Sequence, residues 1–161
     1  MRRFFKYWLP LLIWVCVIFL GSTDVLSAEH TSRFMVPFLL WLKPEMSPEK
    51  ILFILIVMRK SAHVSEYAIL ALLLWRALRS NPTLRTTRPM LLGAVLVACA
   101  VFAASDEFHQ SFVKSRTPSV RDVMLDVAGA VFGLLIGAIF AQRHSKKVRN
   151  TAHSQFVDAR L

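Results

Sequence analysis

The sequence predicts an all-α integral membrane bundle of four transmembrane helices, and three observations carry that prediction. Four apolar segments recur along the 161 residues, over about 7–25, 51–76, 90–110 and 119–142. With its flanks, each reaches the roughly 20 residues that a ~30 Å hydrocarbon core demands. Hydrophobic residues make up 55% of the chain and charged residues only 19%, short of the roughly one quarter usual in a soluble domain. The basic residues, finally, concentrate in alternate connections between the apolar segments, as a membrane topology signal does. The length suits one domain over 1–161, and 5 Gly and 7 Pro spread along the chain exclude collagen-like or disordered classes.

The first span, about 7–25, follows Arg2, Arg3 and Lys6 and opens on Tyr7 and Trp8, where an interfacial aromatic belt would lie. A cleaved signal peptide ending at Ala28 is the weaker reading, because Leu26 occupies the −3 position where a small residue is needed. The connection that follows contains Phe34 to Leu42, nine residues broken by Pro37. That is too short to span and apolar enough to lie on the outer interface, or to pack as a cap over the bundle. Ser47 and Pro48 offer an N-cap and N1 pair for the second span, about 51–76, and Glu49 suits the positive end of its dipole. Pro89 precedes the third span, about 90–110, while Thr117, Pro118 and Ser119 introduce the fourth, about 119–142. Residues 143–161 read as a frayed basic tail near anionic headgroups. Cys16 and Cys99 both fall inside apolar runs, which suits helix packing rather than a disulfide.

Charge distribution orients these spans. Arg2, Arg3 and Lys6 at the N-terminus, Arg76, Arg79, Arg85 and Arg88 in the middle connection, and Arg143, Lys146, Lys147, Arg149 and Arg160 in the tail face Asp158 as their sole acid. Residues 22–50 and 105–122 instead mix acidic and basic side chains. The positive-inside rule then places both termini and the middle connection in the cytoplasm, with the two mixed connections facing outward. Twelve of the twenty basic residues behind the net charge of +10 are topology signals. A nucleic-acid partner is therefore not expected.

Polar residues inside the spans carry the functional signal. An intramembrane charge costs at least about 2.5–3.5 kcal/mol on insertion scales, so such groups face the bundle interior and pair or act there. In the second span Arg59, His63, Glu66 and Tyr67 fall at i, i+4, i+7 and i+8, with Lys60 at the edge of the stripe. The third span ends with Asp106, Glu107, His109 and Gln110, and the fourth stacks Ser119, Asp122 and Asp126 ahead of Gly129 and Gly133. That glycine pair is a GxxxG, which permits close helix contact. All three patches fall on the outward side and converge on a polar funnel narrowing toward Glu66.

The motifs RKSAHVSEYAILALLLWRALR and SDEFHQSFVKSRTPSVRDVMLDVAGAVFG resemble those of the VanZ-like family of small bacterial membrane proteins. The matching positions are Lys60, His63, Glu66 and Tyr67, then Asp106, Glu107, His109, Gln110 and Phe112, then Arg116, Ser119, Asp122, Gly129 and Gly133. Asp126 departs from the family pattern, where Asn is common. The family takes its name from a protein associated with resistance to the glycopeptide teicoplanin, so the resemblance implies action on the cell envelope without naming a reaction.

Chemistry at the funnel has three readings. His63, Glu66, Asp106, Glu107 and His109 are candidates for acid–base work on a lipid-linked substrate, though no nucleophile motif accompanies them. Arg59, Lys60 and Arg116 suit an anionic headgroup, and with His63, Glu66, Tyr67, Asp106, Glu107, Gln110, Asp122 and Asp126 they form the candidate ligand-binding set. Alternatively, these cations and carboxylates pair with one another in a purely structural network. No HExxH and no suitably placed Cys is present, so neither metal nor cofactor is expected. The expected partners are membrane lipids, a lipid-linked envelope precursor or a glycopeptide.

Overall fold

The computed structural model describes residues 2–23, 28–81, 87–113 and 119–158. Five helices make up the fold: α1 (Arg2–Gly21), α2 (Ala28–Leu42), α3 (Pro48–Arg79), α4 (Arg88–Gln110) and α5 (Val120–Asp158), with no strand among the described residues. Three of them are long and apolar enough to cross a membrane, over Phe4–Gly21, Arg88–Gln110 and Val120–Arg143. The expected second span lies within α3, whose 32 residues are also long enough, but Arg59, Lys60, His63 and Glu66 interrupt its apolar run.

Several boundaries differ from the sequence reading, each for a local reason. Helix α1 begins at Arg2 rather than 7 because nothing before Tyr7 breaks a helix, and it stops at Gly21, where Ser22 and Thr23 turn back onto Ile18 and Leu20. The segment expected over Phe34–Leu42 is the C-terminal part of α2, which starts at Ala28 and runs through Pro37. Its residues Phe34, Phe38 and Trp41 form an exposed stripe at i, i+4 and i+7, Trp41 being 77% exposed, while Leu39 turns inward. So α2 is no fully packed cap. The tail expected beyond 142 is helical to Asp158, since residues 143–158 contain neither Gly nor Pro to end α5.

Contacts set the directions of the helices. Lys60, His63, Val64 and Ala68 of α3 meet Asp122, Asp126, Gly129 and Gly133 of α5 in ascending order, so the two helices run parallel. Helix α1 runs against α3, because Trp14 Nε1 donates to the Glu66 carbonyl (2.9 Å) while Arg76 Nη2 donates to the Lys6 carbonyl (3.0 Å). The end of α1 meets the end of α4 through Ser22 and Asp106, which makes α1 and α4 parallel. The result is an alternating four-helix bundle with α2 packed mainly against α3.

Two sequence features build the joints. Pro10 has no N–H, which leaves the Lys6 carbonyl one turn earlier without its helical donor. Arg76 supplies that donor from α3, and its guanidinium also lies over the Tyr7 ring, 5.1 Å from the centroid. At the α3–α5 crossing, a Cβ added to Gly129 would collide with the Val64 carbonyl oxygen, and one added to Gly133 with that of Ala68. The small-residue stripe extends one step further than the predicted pair, since Gly137 faces Leu72 and Trp75. Around this seam, Leu70, Ala71, Val95, Cys99, Ala103, Ala130 and Leu134 form the core, and Cys99 is a buried free thiol.

Gly133→Leu should therefore destabilise the protein by about 1–3 kcal/mol or more, the usual cost of overpacking, whereas Gly93→Ala, with open space at its Cβ position, should be near neutral. Equilibrium unfolding in mild detergent would measure both.

Candidate functional site

A cavity of about 610 Å³ opens between α1, α2, α3 and α4. Its wall changes character along α3. Leu52, Leu55, Ile56 and Met58 make an apolar slope, and Arg59, His63 and Glu66 continue it as a polar one. The ends of α1 and α4 supply Ser22, Asp106 and Gln110, and α2 closes the fourth side with Thr31 and Ser32.

Asp106 anchors the floor. Ser22 Oγ donates to its Oδ1 (2.5 Å) and Gln110 Nε2 to its Oδ2 (3.0 Å), while the same amide reaches Ser22 Oγ at 3.4 Å. All three side chains are buried. Asp106 and Gln110 are one helical turn apart, so one face of α4 presents both, and Ser22 caps the triangle from the end of α1. Arg59 Nε and Gln110 Oε1 are buried without a hydrogen-bond partner among the described residues. Burying such a group unpaired costs about 1–3 kcal/mol.

Behind His63 lies a second polar layer, on the α3–α5 seam. Its Nδ1 is 3.0 Å from Asp126 Oδ1, and Asp126 is fully buried. One turn up, Lys60 pairs with Asp122. These contacts occur because the glycines let α5 approach until a Lys and a His on α3 meet two Asp spaced i, i+4.

The cavity wall thus gathers Arg59, His63, Glu66, Asp106 and Gln110 of the predicted residues. Lys60, Asp122 and Asp126 stand behind it and hold α3 to α5. Tyr67, expected on the same stripe, is instead in the core against Phe102. At about 100° per residue it sits roughly 80° round from Arg59, whereas His63 and Glu66 fall within about 40°. Glu107 also moves out of the expected site: its Oε2 accepts the Ser119 backbone N–H (2.8 Å), which fastens α4 to the start of α5. His109 stacks on Phe19 with ring centroids 4.8 Å apart and is not on the wall. Arg116 lies outside the described residues. Ser22, Thr31 and Ser32 were missed, because a serine after a span's last glycine looks like an ordinary cap and α2 carries no recognisable polar motif. Among the described residues, no group of three or more His, Cys, Asp or Glu is placed to hold a metal ion.

A family model described as VanZ/LLP1 matches residues 7–141. The chain belongs to the VanZ/LLP1 family. No curated protein and no solved structure matches it. The VanZ/LLP1 match covers every wall of the cavity and the α3–α5 contacts at Gly129, Gly133 and Gly137, and it leaves out residues 1–6 and 142–161.

The paired layer behind the cavity makes an asymmetric prediction. His63→Ala strands the fully buried Asp126 carboxyl and should cost about 3–5 kcal/mol. Asp126→Ala strands only an imidazole nitrogen and should cost about 1–3 kcal/mol. The double variant should be more stable than the sum of the two losses predicts, as read from a double-mutant cycle of detergent unfolding.

Proposed function

We propose that this VanZ/LLP1 protein binds the headgroup of a lipid or lipid-linked envelope precursor in the cavity between α1, α2, α3 and α4, and so alters sensitivity to a teicoplanin-type glycopeptide. One observation carries the reading. The cavity joins an apolar slope, Leu52 to Met58, to a polar floor where Arg59 Nε and Gln110 Oε1 are buried with no hydrogen-bond partner among the described residues. An amphiphile has that same division, and a guanidinium at the boundary suits a phosphate oxygen.

In this reading α3 crosses the membrane beside α5, with which it runs parallel, and the bundle has four spans in a bacterial inner membrane. Both termini are cytoplasmic and the cavity opens to the outer leaflet. What supports this is the alternation of helix direction together with three helices apolar enough to span. The exposed Phe34, Phe38 and Trp41 of α2 would then rest in the outer interface.

A second reading, acid–base catalysis on the same ligand, is favoured by the His63–Asp126 pair. With Nδ1 donating to Asp126, the imidazole is held in one orientation and its Nε2 is the nitrogen left to meet a ligand, while His63 itself lines the cavity. Glu66, on the same wall, is a candidate to share the proton.

Expression in a glycopeptide-sensitive host should give protection that Glu66→Gln and Asp106→Asn reduce at equal protein level, measured as the inhibitory concentration. Undiminished protection would sink the cavity as the site, and variants lost from the membrane would favour a structural network. Under the catalytic reading, lipid mass spectra differ with and without the intact protein and match after His63→Ala; unchanged spectra with a retained lipid favour binding. For topology, an alkaline phosphatase fusion near Lys114 should be active and one near Arg85 inactive.

A further inference from the structure

At the other end of the bundle, a shallow recess of about 470 Å³ lies between α1 and α3. Tyr7, Leu72, Trp75, Arg76, Arg79 and Ser80 line it, and no carboxylate does. Lys6 Nζ is 5.4 Å from the centroid of the lining residue Tyr7, and Arg76 lies over the same ring. The guanidinium of Arg79 lies 5.6 Å from the Trp75 centroid. Two cations therefore share the Tyr7 ring and a third lies over Trp75, at the end of the bundle farthest from the polar cavity.

Among the described residues, no ion pair compensates their charge. None of the ten acidic residues falls in residues 2–23, 67–105 or 127–157. Glu66 is the acid closest in sequence to Arg76, and ten residues of helix place it about 15 Å away along α3. Asp158 lies about 24 Å along α5 beyond Gln142 on the same rise. Arg76 spends one donor on the Lys6 carbonyl that Pro10 leaves open, and that bond fixes the guanidinium while its other N–H groups stay available. The C-terminal end of the α3 dipole accounts for part of one charge and not three.

We infer that this recess binds the phosphate of an anionic phospholipid, with Lys6, Arg76 and Arg79 around the phosphate and Leu72 and Trp75 against the start of the acyl chains. A phosphate oxygen accepts from a planar guanidinium in a fixed fork, and Arg76 is already oriented by its backbone contact. Aromatic side chains at this depth lie where the headgroup meets the hydrocarbon, so a lipid places its phosphate and its glycerol in register with them. Basic recesses between membrane helices recognise anionic headgroups in this way. The site is separate from the polar cavity and its ligand, and it rests on the reading that α3 crosses the membrane.

Native mass spectrometry of the full chain in mild detergent tests it, with equimolar dioleoyl-phosphatidylglycerol and dioleoyl-phosphatidylethanolamine as probes and inorganic phosphate in a parallel titration. The wild type should retain phosphatidylglycerol preferentially. Arg76→Gln with Arg79→Gln should weaken its binding about tenfold or more, toward the phosphatidylethanolamine level. Because Arg76 also ties α3 to α1, Arg79→Gln alone serves as the variant that leaves that joint intact, with an expected loss of about threefold to fivefold that Arg79→Lys largely restores. Arg59→Gln, in the opposite cavity, should keep the preference. The proposal is overturned if the wild type holds both lipids equally, if the preference survives Arg79→Gln, or if it follows Arg59→Gln instead. Inorganic phosphate that binds as tightly and displaces the lipid would identify a site for free phosphate and overturn the lipid assignment.

Discussion

Backbone contact between α3 and α5 is the constraint on which the rest of the molecule depends. Gly129 and Gly133 present no side chain, so the carbonyls of Val64 and Ala68 lie against the α5 backbone itself. At that separation, short polar side chains one turn further along can meet. His63 reaches Asp126 and Lys60 reaches Asp122 because the helices are parallel and in this register. The pairing in turn sets how α3 is rotated. With Lys60 and His63 drawn toward α5, the flank carrying Arg59 and Glu66 turns to α1 and α2, and there the cavity forms.

The bundle has two chemically opposite ends, and α1 is fastened at both. Near Gly21 it is held by a serine and a carboxyl group, and near Pro10 by an arginine that replaces a missing backbone donor. Between them the Trp14 indole donates to the Glu66 carbonyl on the same helix that lines the cavity. The acid-rich end gathers Glu66, Asp106, Glu107, Asp122 and Asp126 around one cavity and one helix seam. The other end carries cations stacked on aromatic rings. Polar groups in an apolar bundle persist only where partners meet them. The acid-rich end supplies most of those partners internally, and at the other end a backbone carbonyl and two aromatic rings meet the cations.

Most helices and much of the polar set were legible in the sequence, for reasons that differ by residue. Arg59, His63 and Glu66 follow a helical spacing that puts them on one wall whatever packs opposite. Tyr67 obeys nearly the same spacing, yet its position at the stripe's edge let the neighbouring α4 claim it for the core. Glu107 carried the right chemistry for a site and is used as a helix fastener, because Ser119 offers an unpaired N–H nearby. Ser22, Thr31 and Ser32 were illegible, since isolated small hydroxyls occur at most helix ends. The length of α5 was misjudged because solubility, not helicity, changes at Gln142.

By itself the sequence determined that the chain is a set of apolar helices whose connections alternate between purely basic and mixed acidic and basic. Those properties follow from transfer free energies and helix spacing, which act residue by residue and need no partner. It also marked Gly129 and Gly133 as a place where something could come close. Only the tertiary structure decided that α3 comes there, and that Asp126, not Glu66, stands behind His63. A helix face is about 100° wide, and several polar residues compete for it. Which of them meets a partner, which lines a cavity and which is buried depends on the rotation and register of the neighbouring helix, a relation between distant segments that no local spacing encodes.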